Sequence, residues 1–187
     1  MINLYKIFAI ILMSMIIVIS SCKKEEDTVL APVLVYGCTD ANAMNYLVSA
    51  NTNDNSCIYA YDLAQGVWNI TPNCEEYTIP VIGTTISLND QLPETIDVQG
   101  AGNNLLYIEI GDTQVNGTID NDGNITVPEQ TVSLDMGFGP MDIDVEGNGL
   151  INTSSTGSMD LIYSFDIEAI PGFPISESLD CSILLDK

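Results

Sequence analysis

Histidine and arginine are absent from this 187-residue chain, and lysine occurs only as Lys6, Lys23, Lys24 and Lys187. Without histidine the chain lacks the usual general base near neutral pH and the commonest metal ligand. That argues against zinc sites and against Ser-His or Cys-His catalysis. Against the few lysines stand 26 acidic residues, for a net charge of −22. Such a surface repels nucleic acid and anionic headgroups, and attracts cations, hard divalent ones above all. Tryptophan occurs once, as Trp68.

Long apolar runs are also scarce. One, Ile7 to Ile19, is broken only by Ser14. It is shorter than the roughly 20 residues a spanning helix needs. With Lys6 ahead of it and Ser20-Ser21 behind, it reads as a secretory signal covering residues 1–21. Ile19-Ser20-Ser21-Cys22 resembles the lipobox of bacterial lipoproteins, which implies that Cys22 becomes the acylated first residue of the mature protein. Cys22-Lys23-Lys24-Glu25-Glu26-Asp27 resembles the surface-export signal of Bacteroidota lipoproteins, and so implies the outer face of the outer membrane. Residues 22–36 are then a tether, without helical or strand period and interrupted by Pro32.

Lipidation of Cys22 leaves Cys38, Cys57, Cys74 and Cys181 in an oxidising envelope. Of three connectivities the expected one is Cys38–Cys57 with Cys74–Cys181. The first closes a local loop, worth roughly 3 kcal/mol of chain entropy. The second ties both ends of the following domain, worth roughly 5 kcal/mol.

Residues 37–59 run from Gly37-Cys38-Thr39-Asp40 through Asn45-Tyr46 to Asn53-Asp54-Asn55-Ser56-Cys57. They resemble a Cys-bounded, Asp/Asn-rich repeat of secreted and surface proteins of Bacteroidota and marine bacteria. Here Asn55 replaces the repeat's glycine, a substitution a left-handed turn tolerates. A module this small leans on its bridge. Asp40, Asn42, Asn45, Asn53 and Asp54 offer oxygen ligands of the kind Ca²⁺ takes. The competing and favoured expectation is that they cap turns through their own backbone.

From residue 60 to residue 187 the pattern is all-β: short alternating runs separated by Gly, Asn, Asp and Pro, expected to form an antiparallel barrel or sandwich. The predicted strands are 66–71 (turned by Pro72-Asn73), 77–81, 85–88, 95–99, 105–110, 114–119, 124–128, 130–135, 141–146, 150–153, 158–167 and 182–185. Asp120-Asn121-Asp122-Gly123 predicts a hairpin turn. An EF-hand there fails, because the glycine falls fourth rather than sixth. Alternation places Asp142, Asp144 and Glu146 on one wet face.

Gly66-Val67-Trp68-Asn69-Ile70-Thr71 with Cys74, Ile125 to Gln130, Gly147 to Ile151, Ile162 to Phe165 and Cys181 to Leu185 together resemble small lipocalin-like lipoproteins of Bacteroidota. The resemblance implies a lipocalin-like barrel able to carry a small apolar ligand. Trp68 would be a core or barrel-end residue, or a wall of the ligand pocket. Two departures stand out. True lipocalins place an arginine over this tryptophan, and this chain has none; their C-terminal helix is barred here by Ile170-Pro171-Gly172-Phe173-Pro174.

The expected function is a non-catalytic, lipid-anchored surface module whose partner is a glycan, a small hydrophobic ligand or another envelope protein. A carrier of one apolar ligand is the first alternative. A glycoside hydrolase using paired carboxylates is the second. Tyr59, Tyr61, Tyr107, Tyr163, Phe138 and Phe173 are candidate exposed aromatics for a glycan platform.

Overall fold

A computed structural model describes residues 32–187, apart from 81–82, 111–112, 136–138 and 171–172. The signal, Cys22 and most of the tether lie outside the described residues, as does Phe138.

The chain enters with β1 (Tyr36–Gly37), which pairs in parallel with β2 (Thr52–Asn53). A short helix, α1 (Ala60–Ala64), leads to β3 (Gly66–Cys74). A small hairpin of β4 (Glu76–Thr78) and β5 (Thr85–Ser87) follows. Then come β6 (Thr95–Gly102), β7 (Leu105–Ile110), β8 (Thr113–Ile119), β9 (Asn124–Asp135), β10 (Pro140–Ile151), β11 (Thr156–Ile170) and β12 (Phe173–Asp186).

Strands β3 and β6 to β12 close into an eight-stranded barrel in which each strand pairs antiparallel with the next along the chain. The last joint is β12 to β3, in register from Cys181↔Cys74 to Asp186↔Asn69. Of the two expected architectures the molecule takes the barrel. Closure joins the first and last strands of the sheet, so neither is left as a free terminal edge.

Alternation builds the core. Trp68, Val132, Ile143, Val145, Tyr163, Phe165, Ile183 and Leu185 point inward and are buried. Asp142, Asp144 and Glu146 are exposed on the outer face of β10, as the period-2 pattern predicts. The β4–β5 hairpin adds Ile79, Ile86 and Leu88 to the same core, and Tyr77 meets Phe165 edge-on with ring centroids 6.4 Å apart.

The strands are longer than the sequence predicts, for three physical reasons. Residues 124–128 and 130–135 are one strand, because the Pro128-Glu129 interruption is a bulge: Val127 pairs with Gly147 and Gln130 with Val145. A bulge is where a sheet accepts proline. β10 likewise runs through Gly147 and Gly149. A Cβ at Gly147 would strike the carbonyl oxygen of Asp160 on β11. Pro72 does not turn β3. The N–H groups of Ile70 and Cys74 point away from β12, to the Glu94 carbonyl and the Asn89 side chain, so the position between them faces a side with no strand partner.

Both disulfides form as expected, Cys38–Cys57 and Cys74–Cys181. The second joins directly opposed residues of β3 and β12, across the joint that closes the barrel.

Candidate ligand cavity

The interior of the barrel holds a cavity of about 110 Å³. Ala64, Trp68, Val127, Leu161, Tyr163 and Ile183 are among its walls, and among the described residues no acidic one lines it. The volume is of the order of the roughly 150 Å³ apolar cavity that stays dry and accepts benzene. It is well below the 300–1,000 Å³ typical of drug-sized ligands.

α1 meets the cavity through Ala64. A helix end leaves its last carbonyls without intrahelical partners, and here those of Tyr61, Leu63 and Ala64, with that of Gln65 after them, take side-chain donors. Gln65 Nε2 donates to the Tyr61 carbonyl at 3.0 Å, and Trp68 Nε1 to that of Ala64 at 2.7 Å. Lys187 Nζ donates to the carbonyls of Leu63 and Gln65 at 2.8 and 2.6 Å. The same ammonium stands 4.2 Å from the centre of the Trp68 ring. A cation therefore covers the buried indole after all, supplied by lysine from the residue after β12. Partial burial lowers the Lys187 pKa from its ordinary value. The two carbonyls and the indole face act in the opposite sense, favouring the ammonium.

One wall is looser than the rest. β6 pairs with β3 over residues 95–98, but with β7 only at Gln99↔Tyr107, Gly100↔Leu106 and Gly102↔Leu105. Beyond that point the two strands part, and the cavity residues Ile96, Val98, Ile108 and Val115 are half-buried, whereas Ile143, Val145 and Ile183 elsewhere in the barrel are buried. On the other side of the β7–β8 hairpin, β8 pairs with β9 only at Thr118↔Thr126 and Ile119↔Ile125. Gln130 fills in for the missing ladder. Its amide oxygen accepts from the Asn116 N–H and its nitrogen donates to the Asn116 carbonyl, both at 2.8 Å. Asn89 serves Cys74 in the same way, at 2.8 and 3.1 Å.

Two polar tips of aromatic residues around the cavity are engaged, Trp68 as above and Tyr107, which donates to Gln99 Oε1 at 2.7 Å. The third, Tyr163, is 4% exposed, and no protein group among the described residues accepts from or donates to its hydroxyl. Burial pushes its phenol up to about 12.

The chain matches no family model and no curated protein. In solved structures it is similar to EF1p2_mFAP2b bound to DFHBI, at 13% identity and a TM-score of 0.43, covering 69% of this chain and 97% of that one. It is also similar to a redesigned beta barrel, b11L5F_LGL, at 13% identity and a TM-score of 0.36, covering 69% and 95%.

The residues offered for calcium are occupied by turns. Asp40 accepts from the Asn42 N–H at 2.9 Å and the Tyr59 hydroxyl at 2.8 Å. Asn42 accepts from Asn121 at 3.0 Å, which docks the module on the β8–β9 turn. Asn45 bridges Ser56 and Ile58, Asn53 accepts from Asn55, and Asp54 from Ser56. These bonds hold the Asp40 and Asp54 carboxyls below their ordinary pKa. Asn55 takes φ 63°, the left-handed position where the repeat it resembles has glycine.

The glycan platform loses a member. Tyr163 points into the barrel rather than to solvent, and Tyr59 and Tyr61 are half-buried with their hydroxyls hydrogen-bonded to Asp40 and to the Gly102 N–H. The signal was available: Leu161, Tyr163 and Phe165 share one side of the alternation, and Asp160 and Asp166 the other. Lys187 had no such signal, because its partners lie more than 120 residues away.

Proposed function

We propose that this chain is a non-catalytic binding lipoprotein of the outer membrane, acylated at Cys22 and carried to the cell surface, whose barrel holds one small apolar molecule. The anchor and the location rest on Ile19 to Asp27 and on their resemblance to the lipobox and surface-export signals of Bacteroidota lipoproteins. The ligand class rests on one observation: a cavity walled by apolar side chains and open to one side, where β6 and β7 part. Among the described residues no carboxylate lines the cavity, which favours an apolar ligand over the paired-acid hydrolase as the reading of this site. The half-buried, hydrogen-bonded tyrosines give the glycan platform no support either.

Trp68 is a wall of the cavity and the sole tryptophan of the chain, so its emission reports occupancy. Bromobenzene, a heavy-atom quencher of benzene size, is added to the mature acylated protein in phosphatidylcholine vesicles. The proposal expects saturable quenching, abolished in a folded Val127→Phe variant that fills the cavity. Quenching that rises linearly without saturation, or survives in that variant, counts against it.

A further inference from the structure

Of the aromatic polar groups at the cavity, one, the Tyr163 hydroxyl, has no hydrogen-bond partner among the described residues. Tyr163 sits on β11 with Val145 of β10 and Leu179 of β12 as its register partners, an apolar setting on both sides. The residue is 4% exposed, yet its hydroxyl oxygen is not among the fully buried polar atoms, as expected of a group that faces the cavity. Phenylalanine would fill the same space, so packing alone does not account for the oxygen. The other aromatic polar atoms at the cavity, Trp68 Nε1 and the Tyr107 hydroxyl, are already committed to protein acceptors.

We infer that the ligand of the barrel is a neutral molecule of about six heavy atoms carrying one hydrogen-bond acceptor, a carbonyl or ether oxygen, that receives the Tyr163 O–H. This rests on the apolar-ligand reading above and adds the polar half of recognition to it. Neutrality follows from the surroundings. Lys187 is the lone cationic side chain among the described residues, and its ammonium is spent on two carbonyls and the face of Trp68. A carboxylate placed in the cavity would be a buried charge without a partner. The phenol is a strong donor, and a carbonyl oxygen takes its proton without bringing a donor of its own to be satisfied.

The test is a pair of near-isosteric competitors, cyclohexanone and cyclohexane, each used to reverse bromobenzene quenching of Trp68 in the mature protein and in its Tyr163→Phe variant. Partition of each competitor between water and lipid is common to both proteins and cancels in the ratio of affinities. Tyr163→Phe is expected to weaken cyclohexanone about five- to tenfold, the value of one hydrogen bond, and to leave cyclohexane unchanged. Equal behaviour of the two competitors in both proteins overturns the inference while leaving the apolar cavity standing; that result means that water serves the hydroxyl. Absence of any saturable bromobenzene quenching removes the apolar-ligand reading and this inference with it. If the variant fails to fold, the infrared carbonyl band of cyclohexanone bound to the unaltered protein decides. A frequency below that in hexane supports the hydrogen bond, and the hexane value overturns it.

Discussion

Two residues carry most of the chemistry of the interior, and they differ in how legible they were. Trp68 was identifiable from the Gly-x-Trp pattern as a core residue, and it is fully buried. The cation over it was not identifiable, because nothing in the local sequence links Leu185-Asp186-Lys187 to α1. Replacing Lys187 by Met removes two carbonyl contacts and the contact with the indole. Denaturant unfolding followed by Trp68 emission should show a loss of about 1 kcal/mol. Tyr163 makes a pH prediction. Its folded pKa of about 12 lies above the ordinary value of 10, so between these values the folded state keeps a proton that the unfolded chain has lost. Stability from this group is therefore complete below pH 10 and falls as pH rises toward 12, by roughly 3 kcal/mol. The Tyr163→Phe variant should lack that part of the alkaline slope when both are unfolded in urea across the range.

At the level of elements, alternation located nearly every strand, because inward apolar and outward polar positions are read directly off a half-buried sheet. The errors fell where backbone chemistry overrides composition. Proline at 128 marks a bulge inside β9, and proline at 72 sits where β3 has no neighbour to receive an N–H. The seams beside the β7–β8 hairpin were not legible at all. They follow from which backbone pairs form, and the compensating group, Gln130, reads in the sequence as an ordinary surface glutamine. Gln130→Ala leaves the N–H and the carbonyl of Asn116 without these partners. The expected result is a loss of about 1–2 kcal/mol and faster amide hydrogen exchange at Asn116 than at Thr118, which keeps its backbone partner on β9. Equal exchange at the two amides would mean that Gln130 does not close that seam.

For the molecule as a whole, closure of the barrel depends on strands distant in the chain, β3 and β12, and the Cys74–Cys181 bridge lies across their joint. This pairing was expected once one cysteine was assigned to the lipid, with a local bridge at Cys38–Cys57 and the second tying the two ends of the domain. The Cys74→Ala, Cys181→Ala double variant should lose about 2–5 kcal/mol in urea unfolding while keeping its far-ultraviolet circular dichroism below the transition. The small module lies against the same body through Asn42 and Asn121, and Met44 packs on the barrel core. Its Asp and Asn side chains were legible as turn formers from composition, because side chains of that length reach their own backbone two residues on. The cavity was not legible, since its size depends on how far β6 and β7 separate and no residue type encodes that distance.

The central claim is that a small apolar molecule enters the barrel itself, and nuclear Overhauser contacts from benzene to the mature protein in micelles test it most directly. Contacts to the methyl groups of Val127, Leu161 and Ile183, which face the cavity, are the predicted result. Contacts confined to outward residues such as Val67 and Leu184 would contradict it.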